Sequence, residues 1–596
     1  MRVFLKKRKN ILINSENCRI SLQTNFVMII KKICSAALLY LLCSTAIFAQ
    51  KKPEFVPFIN QQHAWVDSVF NTLSTKEKIG QLFLVRAHTN LGQKYIDSVK
   101  QIIQQEQLGG LVVFQGGPVR HANMFNQYQQ VSKVPLLITF DGEWGLGMRM
   151  PDSTISYPYQ MTLGAIQNDN LLYDMGRYVA KDFKRLGMHF NFAPVVDINN
   201  NPKNPVINFR SFGDNKIKVT NKAKAYMNGM VDGGILASLK HFPGHGDTDV
   251  DSHYDLPQLK FDKQRLDSLE IFPFAELIKA GTPSVMVAHM NIPSLDSTPN
   301  IPSSISKKVV TDILRNELGF KGLTVTDAMD MNGVKKNFPN GEADVMAIEA
   351  GHDLLEISEN SARAINLVEQ AIKSGRISGA DIDSRVKKVL AAKLWLGLDK
   401  IQPVNLHNLY QDLNSPSAKT LVQRLADASI TVLKTDKGIE KFDDKEETAI
   451  VSVGISTVQD FERGLPGQLS NSKQFFVKGD ESEDVLKELL KEARGFKQII
   501  LAIHDNRSRP RSELALNEAT QKFIDKLAGR RTISVLFTNP YAINSVEVQR
   551  SSAIILAYQN DFFMQKAAIK VLLKQIKADG KLPVTVSKDF ENGAGI

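Results

Sequence analysis

The chain has 596 residues, 43% hydrophobic and 23% charged, with 37 glycines and 23 prolines; these proportions exclude collagen-like, disordered and coiled-coil proteins and fit one large domain followed by a smaller one. The formal net charge of +11 is concentrated at one end. Residues 1–49 hold eight basic residues against Glu16 alone, a surplus of seven that leaves four for the rest of the chain, where no long basic run suggests a nucleic-acid partner.

Met28-Ile-Ile-Lys31-Lys32 and the apolar run Ile33–Phe48 have the form of a secretory signal: a charged start, a short greasy core and a small residue before the cut. Cleavage after Ala49 would start the mature chain at Gln50, and Met28 is a candidate true start. The alternative is an uncleaved anchor, although about sixteen apolar residues fall short of the ~20 a spanning helix needs. Cys18, Cys34 and Cys43 all lie in this segment, so the mature chain would contain no disulfide, zinc-thiolate site or cysteine nucleophile. Leu42 is bulky where a lipid-attachment site at Cys43 wants a small residue. The expected product is a soluble periplasmic or secreted protein with no stable membrane span after cleavage.

From residue 80 to 360, short apolar segments recur, each followed by polar or glycine residues and then a helical pattern. They are Gln81–Arg86, Gly110–Phe114, Pro135–Phe140, Phe190–Val196, Ile235–Leu239, Ser284–Ala288, Gly322–Val325 and Asp353–Ile357. Several are apolar on both faces, as strands buried between layers should be. Lys307–Leu318 and Ser361–Ile372 are amphipathic at helical spacing, and Ser306 suits a cap for the first of them. Eight strands alternating with helices predict an α/β fold, a (β/α)8 TIM barrel over 52–400. Residues 401–420 read as a linker rich in Pro, Asn and Ser. Over 421–596, apolar runs at Ile430–Leu433, Ala449–Val453, Ile499–Ile503, Ile533–Phe537 and Ala553–Ala557 predict a smaller α/β, sandwich-like domain with an open, mostly parallel sheet, and Leu582–Val586 is strand-like. That domain has no phosphate-binding glycine fingerprint, so no cofactor is expected.

In such a barrel the side chains just after each strand converge on one face. Asp141, Asp197, Lys240-His241, His289 and Asp327 all occupy such ends. The richest segment is Lys240-His-Phe-Pro-Gly-His-Gly-Asp-Thr-Asp-Val-Asp-Ser-His253, which Pro243 and Gly244 force into a loop. Its histidines and aspartates could ligate a metal, but Pro243 breaks the helix that would align them, and a calcium loop fails at Ser252 and Gln258. A purely structural polar loop is a second reading. The third is acid–base catalysis: the Asp251 carboxylate accepting from one nitrogen of the His253 imidazole would fix its tautomer and leave the other nitrogen to exchange protons. Such a pair needs a nucleophile, and Asp327 faces the same mouth, although its position also suits a helix N-cap.

Taken together, 240–253 resembles the signature of the β-N-acetylglucosaminidase (β-hexosaminidase) branch of glycoside hydrolase family 3. The resemblance spans roughly residues 60–400 and includes Phe192-Ala-Pro-Val-Val-Asp197, Arg210-Ser-Phe-Gly213, Met286-Val-Ala-His289 and Leu314-Arg315…Gly319-Phe-Lys-Gly322. It implies a retaining, exo-acting enzyme with no cofactor and no metal, whose partner is a carbohydrate bearing terminal β-GlcNAc on a peptidoglycan fragment or chitooligosaccharide. Asp327 would be the nucleophile forming a covalent glycosyl-enzyme, His253 the acid and then the base, and Asp251 its partner. Asp141, Arg149, Arg210, Lys240 and His241 would hold the hydroxyls of the terminal ring, with salt bridges at the barrel mouth as the plainer alternative for the arginines. Asp197 and His289 would either join them or support them from behind. Relatives usually read Asp-x-Glu-Gly-Gly-Arg after the third strand, where this chain reads Asp141-Gly-Glu143-Trp144-Gly145-Leu146. Trp144 is expected either to stack on a sugar or to pack in the core.

Rival readings are a β-glucosidase-type or phosphorolytic member of the same family, and a non-catalytic carbohydrate-binding relative. A serine acyl-transferring enzyme of the penicillin-binding type has superficial matches at Ser304-Ile-Ser-Lys307, Tyr226-Met-Asn228 and Lys373-Ser-Gly375, but they stand in the wrong order.

Overall fold

The computed structural model describes residues 52–435 and 438–596, so the leader read over 1–49 lies outside the described residues. Among the described residues no helix is long and apolar enough to cross a membrane.

Eight short parallel strands form the first sheet: β1 (Phe83–Ala87), β2 (Gly110–Val113), β3 (Leu137–Phe140), β4 (Phe190–Asn191), β5 (Leu236–Phe242), β6 (Ser284–Val287), β7 (Leu323–Thr326) and β8 (Leu355–Glu356). Their order is β7-β6-β5-β4-β3-β2-β1-β8, and a parallel bridge from Val325 to Leu354 closes the ring between β7 and β8. Each strand sits at one of the eight expected places. The barrel follows from the two-sided apolar character of these segments, since helices cover the outside and side chains fill the inside. The fourth segment keeps formal pairing only over Phe190–Asn191, because Pro194 has no N–H to give. Its carbonyls and the Val196 N–H still bond to β5 as far as Lys240. Strand β5 runs on through Phe242, which makes Lys240 and His241 strand residues rather than loop residues.

The amphipathic segment after residue 306 is a helix over Lys308–Glu317, wound with i to i+5 bonds and burying Val309, Val310, Ile313 and Leu314. Ser306 Oγ accepts from the Val309 N–H as a cap should, and also donates to Asp296 Oδ2. Arg315 reaches Asp353 Oδ2 at 2.8 Å and Thr324 Oγ1 at 2.7 Å, so the Leu-Arg motif locks β7 to β8 below the mouth. At the opposite end of the barrel from the strand C-termini, helix Gly379–Trp395 sends Lys393 into the core, where its ammonium donates to Gln81 Oε1 at 2.7 Å. Burial pushes that amine down to about 7.

Residues 401–420 run irregularly to 408, then carry helix Leu409–Leu413 and the first turn of helix Pro416–Ser429, with Leu409, Leu413 and Ala418 buried against the barrel core. A second sheet follows: β9 (Thr431–Thr435), β10 (Thr448–Val453), β11 (Ser472–Val477), β12 (Gln498–His504), β13 (Thr532–Phe537) and β14 (Ala553–Leu556), in the order β11-β10-β12-β13-β14-β9. All neighbours are parallel except β14–β9. Strand β11 is an addition to the sequence reading; it is a half-exposed edge whose Ser-Lys-Gln start hides it. Leu582–Val586 joins no sheet; Leu582 instead bonds locally to Gly593 and Ala594. This second unit has its own apolar core, and its strand ends lean on the barrel. Asn539 donates to Asn208, the Asn199 amide donates to the Tyr541 hydroxyl, and Gln559 Oε1 accepts from the Tyr159 N–H and the Thr162 hydroxyl.

Candidate active site

Strand ends β3 and β5 build the polar floor of the mouth. Asp141 follows β3 directly, and its carboxylate accepts from Arg149 Nη2 and Lys240 Nζ, each at 2.8 Å. Lys240 is 2% exposed and also meets Glu143 Oε1 at 2.9 Å. Glu143 in turn takes Arg210 in a two-pronged pair, at 2.6 Å from Nη2 and 2.9 Å from Nε. The same Arg210 Nη2 lies 3.4 Å from His241 Nε2. The five predicted sugar-contacting residues therefore meet in one chain of contacts, joined by Glu143, to which the sequence reading gave no role. Three cations serve two carboxylates here, a charge-assisted network fixed by fork geometry. Burial alone would raise Asp141, but Lys240 and Arg149 hold it well below the usual carboxylate range. Burial is likewise outweighed at Glu143, which Arg210 and Lys240 bring down to about 2.

Behind this floor Asp197, fully buried after β4, accepts the His241 Nδ1–H at 2.7 Å and the His245 N–H at 2.7 Å. It orients the imidazole of His241 so that Nε2 faces Arg210. His245 Nδ1 pairs with Thr248 Oγ1 at 2.8 Å. Gly246 lies so close to Ile198 that an added Cβ would stand 1.7 Å from its carbonyl oxygen, which is why the Pro243-Gly-His-Gly246 turn admits no side chain there.

The chain then continues as an outer loop. His253 Nδ1 lies 2.7 Å from Asp251 Oδ1, and the His253 N–H donates to that same oxygen at 2.9 Å. The imidazole is 65% exposed and Asp251 25%, so Nε2 is left open to a ligand. The Gly333 N–H donates to the Ser252 carbonyl at 3.1 Å, tying the loop to the segment that leaves β7. Among the described residues no three His, Cys, Asp or Glu side chains are grouped to hold a metal ion.

Asp327 ends β7. Its Oδ1 accepts from the Ala328 N–H at 2.8 Å. It caps no helix, because the next one begins at Asn332 with Met331 at its cap position. His289 steadies the neighbouring peptide: Nε2 is 3.0 Å from the Ala328 carbonyl and Nδ1 is 2.6 Å from Ser304 Oγ. Burial pushes the Asp327 carboxyl up, yet His241, His289, the Ala328 N–H and His253 outweigh it and hold it below the ordinary range. Trp144 packs edge-on to Tyr159 at 4.8 Å and leans on Phe209, half-buried beside the second domain. The sequence reading also passed over Glu356 at the end of β8. Its signal was an acid inside the buried apolar run Leu354-Leu-Glu-Ile357.

A closed barrel with a charged mouth at its strand C-termini, taken with the likenesses that follow, defines a glycoside hydrolase acting on O-glycosyl bonds. Residues 74–392 match the glycosyl hydrolase family 3 N-terminal domain. The chain is 28% identical over 605 residues to β-hexosaminidase A of Pseudoalteromonas piscicida, covering 89% of this chain and 100% of that protein. It is 27% identical over 384 residues to a β-N-acetylglucosaminidase/β-glucosidase of Cellulomonas fimi, covering 63% and 67%. Among solved structures, a glycoside hydrolase family 3 β-N-acetylglucosaminidase from Paenibacillus sp. str. FPU-7 superposes with a TM-score of 0.73 at 30% identity, over 86% of this chain and 99% of that one. The chain belongs to glycosyl hydrolase family 3.

Proposed function

We propose that the protein is an exported, retaining exo-β-N-acetylglucosaminidase that removes terminal GlcNAc from the non-reducing end of cell-wall fragments or chitooligosaccharides. The observation that carries this reading is the 2.7 Å contact of His253 with Asp251, on a loop tethered at Gly333 to the segment that follows Asp327. Asp327 Oδ1 is occupied by the Ala328 N–H, which leaves Oδ2 to attack the anomeric carbon. Nε2 of His253 gives its proton to the departing oxygen as the C–O bond breaks and a glycosyl ester forms on Asp327. In the second step Nε2 takes a proton from water, the hydroxyl bonds to the anomeric carbon, and the ester bond breaks to return the carboxylate. Two inversions give retention.

Asp251 keeps the proton on Nδ1 throughout and supports the doubly protonated ring, so Nε2 is the nitrogen that gives up and regains a proton. Asp141, Arg149, Arg210, Lys240 and His241 bind the terminal ring, and the ion network lets them present donors and acceptors without rearrangement. The secretory form of residues 28–49 supports export with cleavage after Ala49, and export brings the enzyme to wall turnover products. The purified protein starting at Gln50 is tested on aryl β-GlcNAc and aryl β-glucoside, on a defined muropeptide and on chitobiose. Preference for the GlcNAc substrates, with the β-anomer released first, is expected. Preference for the glucoside, or release of sugar-1-phosphate in phosphate buffer, overturns it.

A further inference from the structure

The mouth holds one acidic side chain with no task in the reaction just described. Glu356 ends β8, opposite Leu84 of β1 in register. Its N–H donates to Thr326 Oγ1 at 2.9 Å and its carbonyl accepts from the Met329 N–H at 2.8 Å, so its backbone is clamped on both sides of Asp327. The residue is 3% exposed, and Oε2 is buried with no hydrogen-bond partner.

The cations nearby are all engaged elsewhere. Lys240 serves Asp141 and Glu143, Arg149 serves Asp141, and Arg210 serves Glu143. On the adjoining β1, Arg86 is paired with Asp330 at 3.0 Å. All three cations at the mouth are committed to Asp141 and Glu143, so a charged carboxylate at Glu356 would be a buried anion without a counter-charge of its own. Burial, then Asp141 and Asp327, push the Glu356 carboxyl well above its usual range, against the smaller opposing pull of Lys240 and Arg149. A neutral carboxyl carries an O–H donor. Every other carboxylate at the mouth only accepts, and an unmatched buried donor there is a demand for an acceptor from outside.

We propose that Glu356 is a sugar-binding residue that stays protonated and donates a hydrogen bond to a hydroxyl oxygen of the terminal ring held between Asp141 and Asp327. The proposal rests on the reading of the mouth as the terminal-sugar site. It makes the pocket sensitive to a missing hydroxyl in a way the ion network alone does not, because an orphaned buried donor is costlier than an unmade surface contact.

The test compares the full mature chain with Glu356→Gln, which keeps an N–H donor, and Glu356→Leu, which keeps none. KM and kcat are measured on aryl β-GlcNAc and aryl β-glucoside, and binding of free GlcNAc and of glucose is followed by calorimetry from pH 6 to 10. Expected is a KM within about threefold for Glu356→Gln and raised about tenfold for Glu356→Leu, with kcat changed less. Monosaccharide binding should weaken at alkaline pH in the wild type, where loss of the proton removes the donor and adds a negative charge beside Asp141 and Asp327. It should stay flat in Glu356→Gln. Infrared difference spectra should show a carboxylic-acid carbonyl band in the wild type that Glu356→Gln lacks; this reading survives even if the leucine variant does not fold. Equal damage from both variants, an unchanged KM in Glu356→Leu, or no such band overturns the proposal. An Asp327→Asn variant run in parallel reports separately on the mouth itself. Full turnover in that variant would sink the proposed reaction while the infrared result still judged Glu356.

Discussion

At the residue scale, the proposed chemistry divides between two side chains in unlike surroundings. Asp327 is half-buried, held by the Ala328 N–H and flanked by imidazoles, whereas His253 is solvent-facing and paired with Asp251 alone. Replacing Asp327 by Asn should abolish turnover of every substrate by about three orders of magnitude or more. His253→Ala should cost about 10²–10⁴-fold in kcat/KM on GlcNAc disaccharides but far less with a dinitrophenyl leaving group that needs no proton. Steady-state kinetics on the two substrate types checks both outcomes, and equal losses on the two would remove His253 from the acid role. The places of Lys240 and His241 at the mouth were readable because both follow a strand with polar side chains; that of Glu143 was not, because in the structure it binds two neighbouring cations.

At the scale of elements, the loop carrying His253 is positioned by the turn after β7. A Cβ added at Gly333 would stand 3.1 Å from the Ser252 carbonyl oxygen and 3.2 Å from that of Asp255. Gly333→Val should therefore push the loop outward, lowering kcat about tenfold or more on unactivated substrates. The thermal midpoint should move little, since His253, Tyr254 and Asp255 on this loop are exposed. Thermal melts beside kinetics separate this from general destabilisation, and unchanged kcat would show that the tether does not position the acid. The eight barrel strands were legible because two-sided apolar runs have few other fates. Edge strand β11 was not, because one face of an edge is wet and its alternation is broken by Ser472, Lys473 and Gln474. The tether at Gly333 could not be read either: a backbone-to-backbone bond across 81 positions leaves no mark in side-chain pattern.

At the scale of the whole molecule, the second domain reaches the mouth through Asn208. That residue sits at φ 37°, where asparagine is tolerated, and its amide is held by Asn539, Ser512 and Pro202 two positions before Arg210. Asn539→Ala should raise KM severalfold through Arg210 while leaving both cores folded; a KM equal to that of the wild type would show the contact to be idle. Lys393 sets a second global property. With its amine at about 7 in the folded chain and about 10.4 unfolded, the unfolded state binds the extra proton between those values, so stability contributed here rises with pH from 7 towards 10. Urea denaturation across that range should show this slope in the wild type and lose it in Lys393→Met; equal slopes would mean that the ammonium remains charged in the core. The loop carrying His253 is open to proteolysis, with Tyr254 beside it 72% exposed. Cleavage on both sides of His253 would spare the carboxylate at residue 327 and its walls while removing the proposed proton donor. Such a clipped molecule would still take up an activated fluorosugar but could not release it, turning a catalyst into a stoichiometric trap.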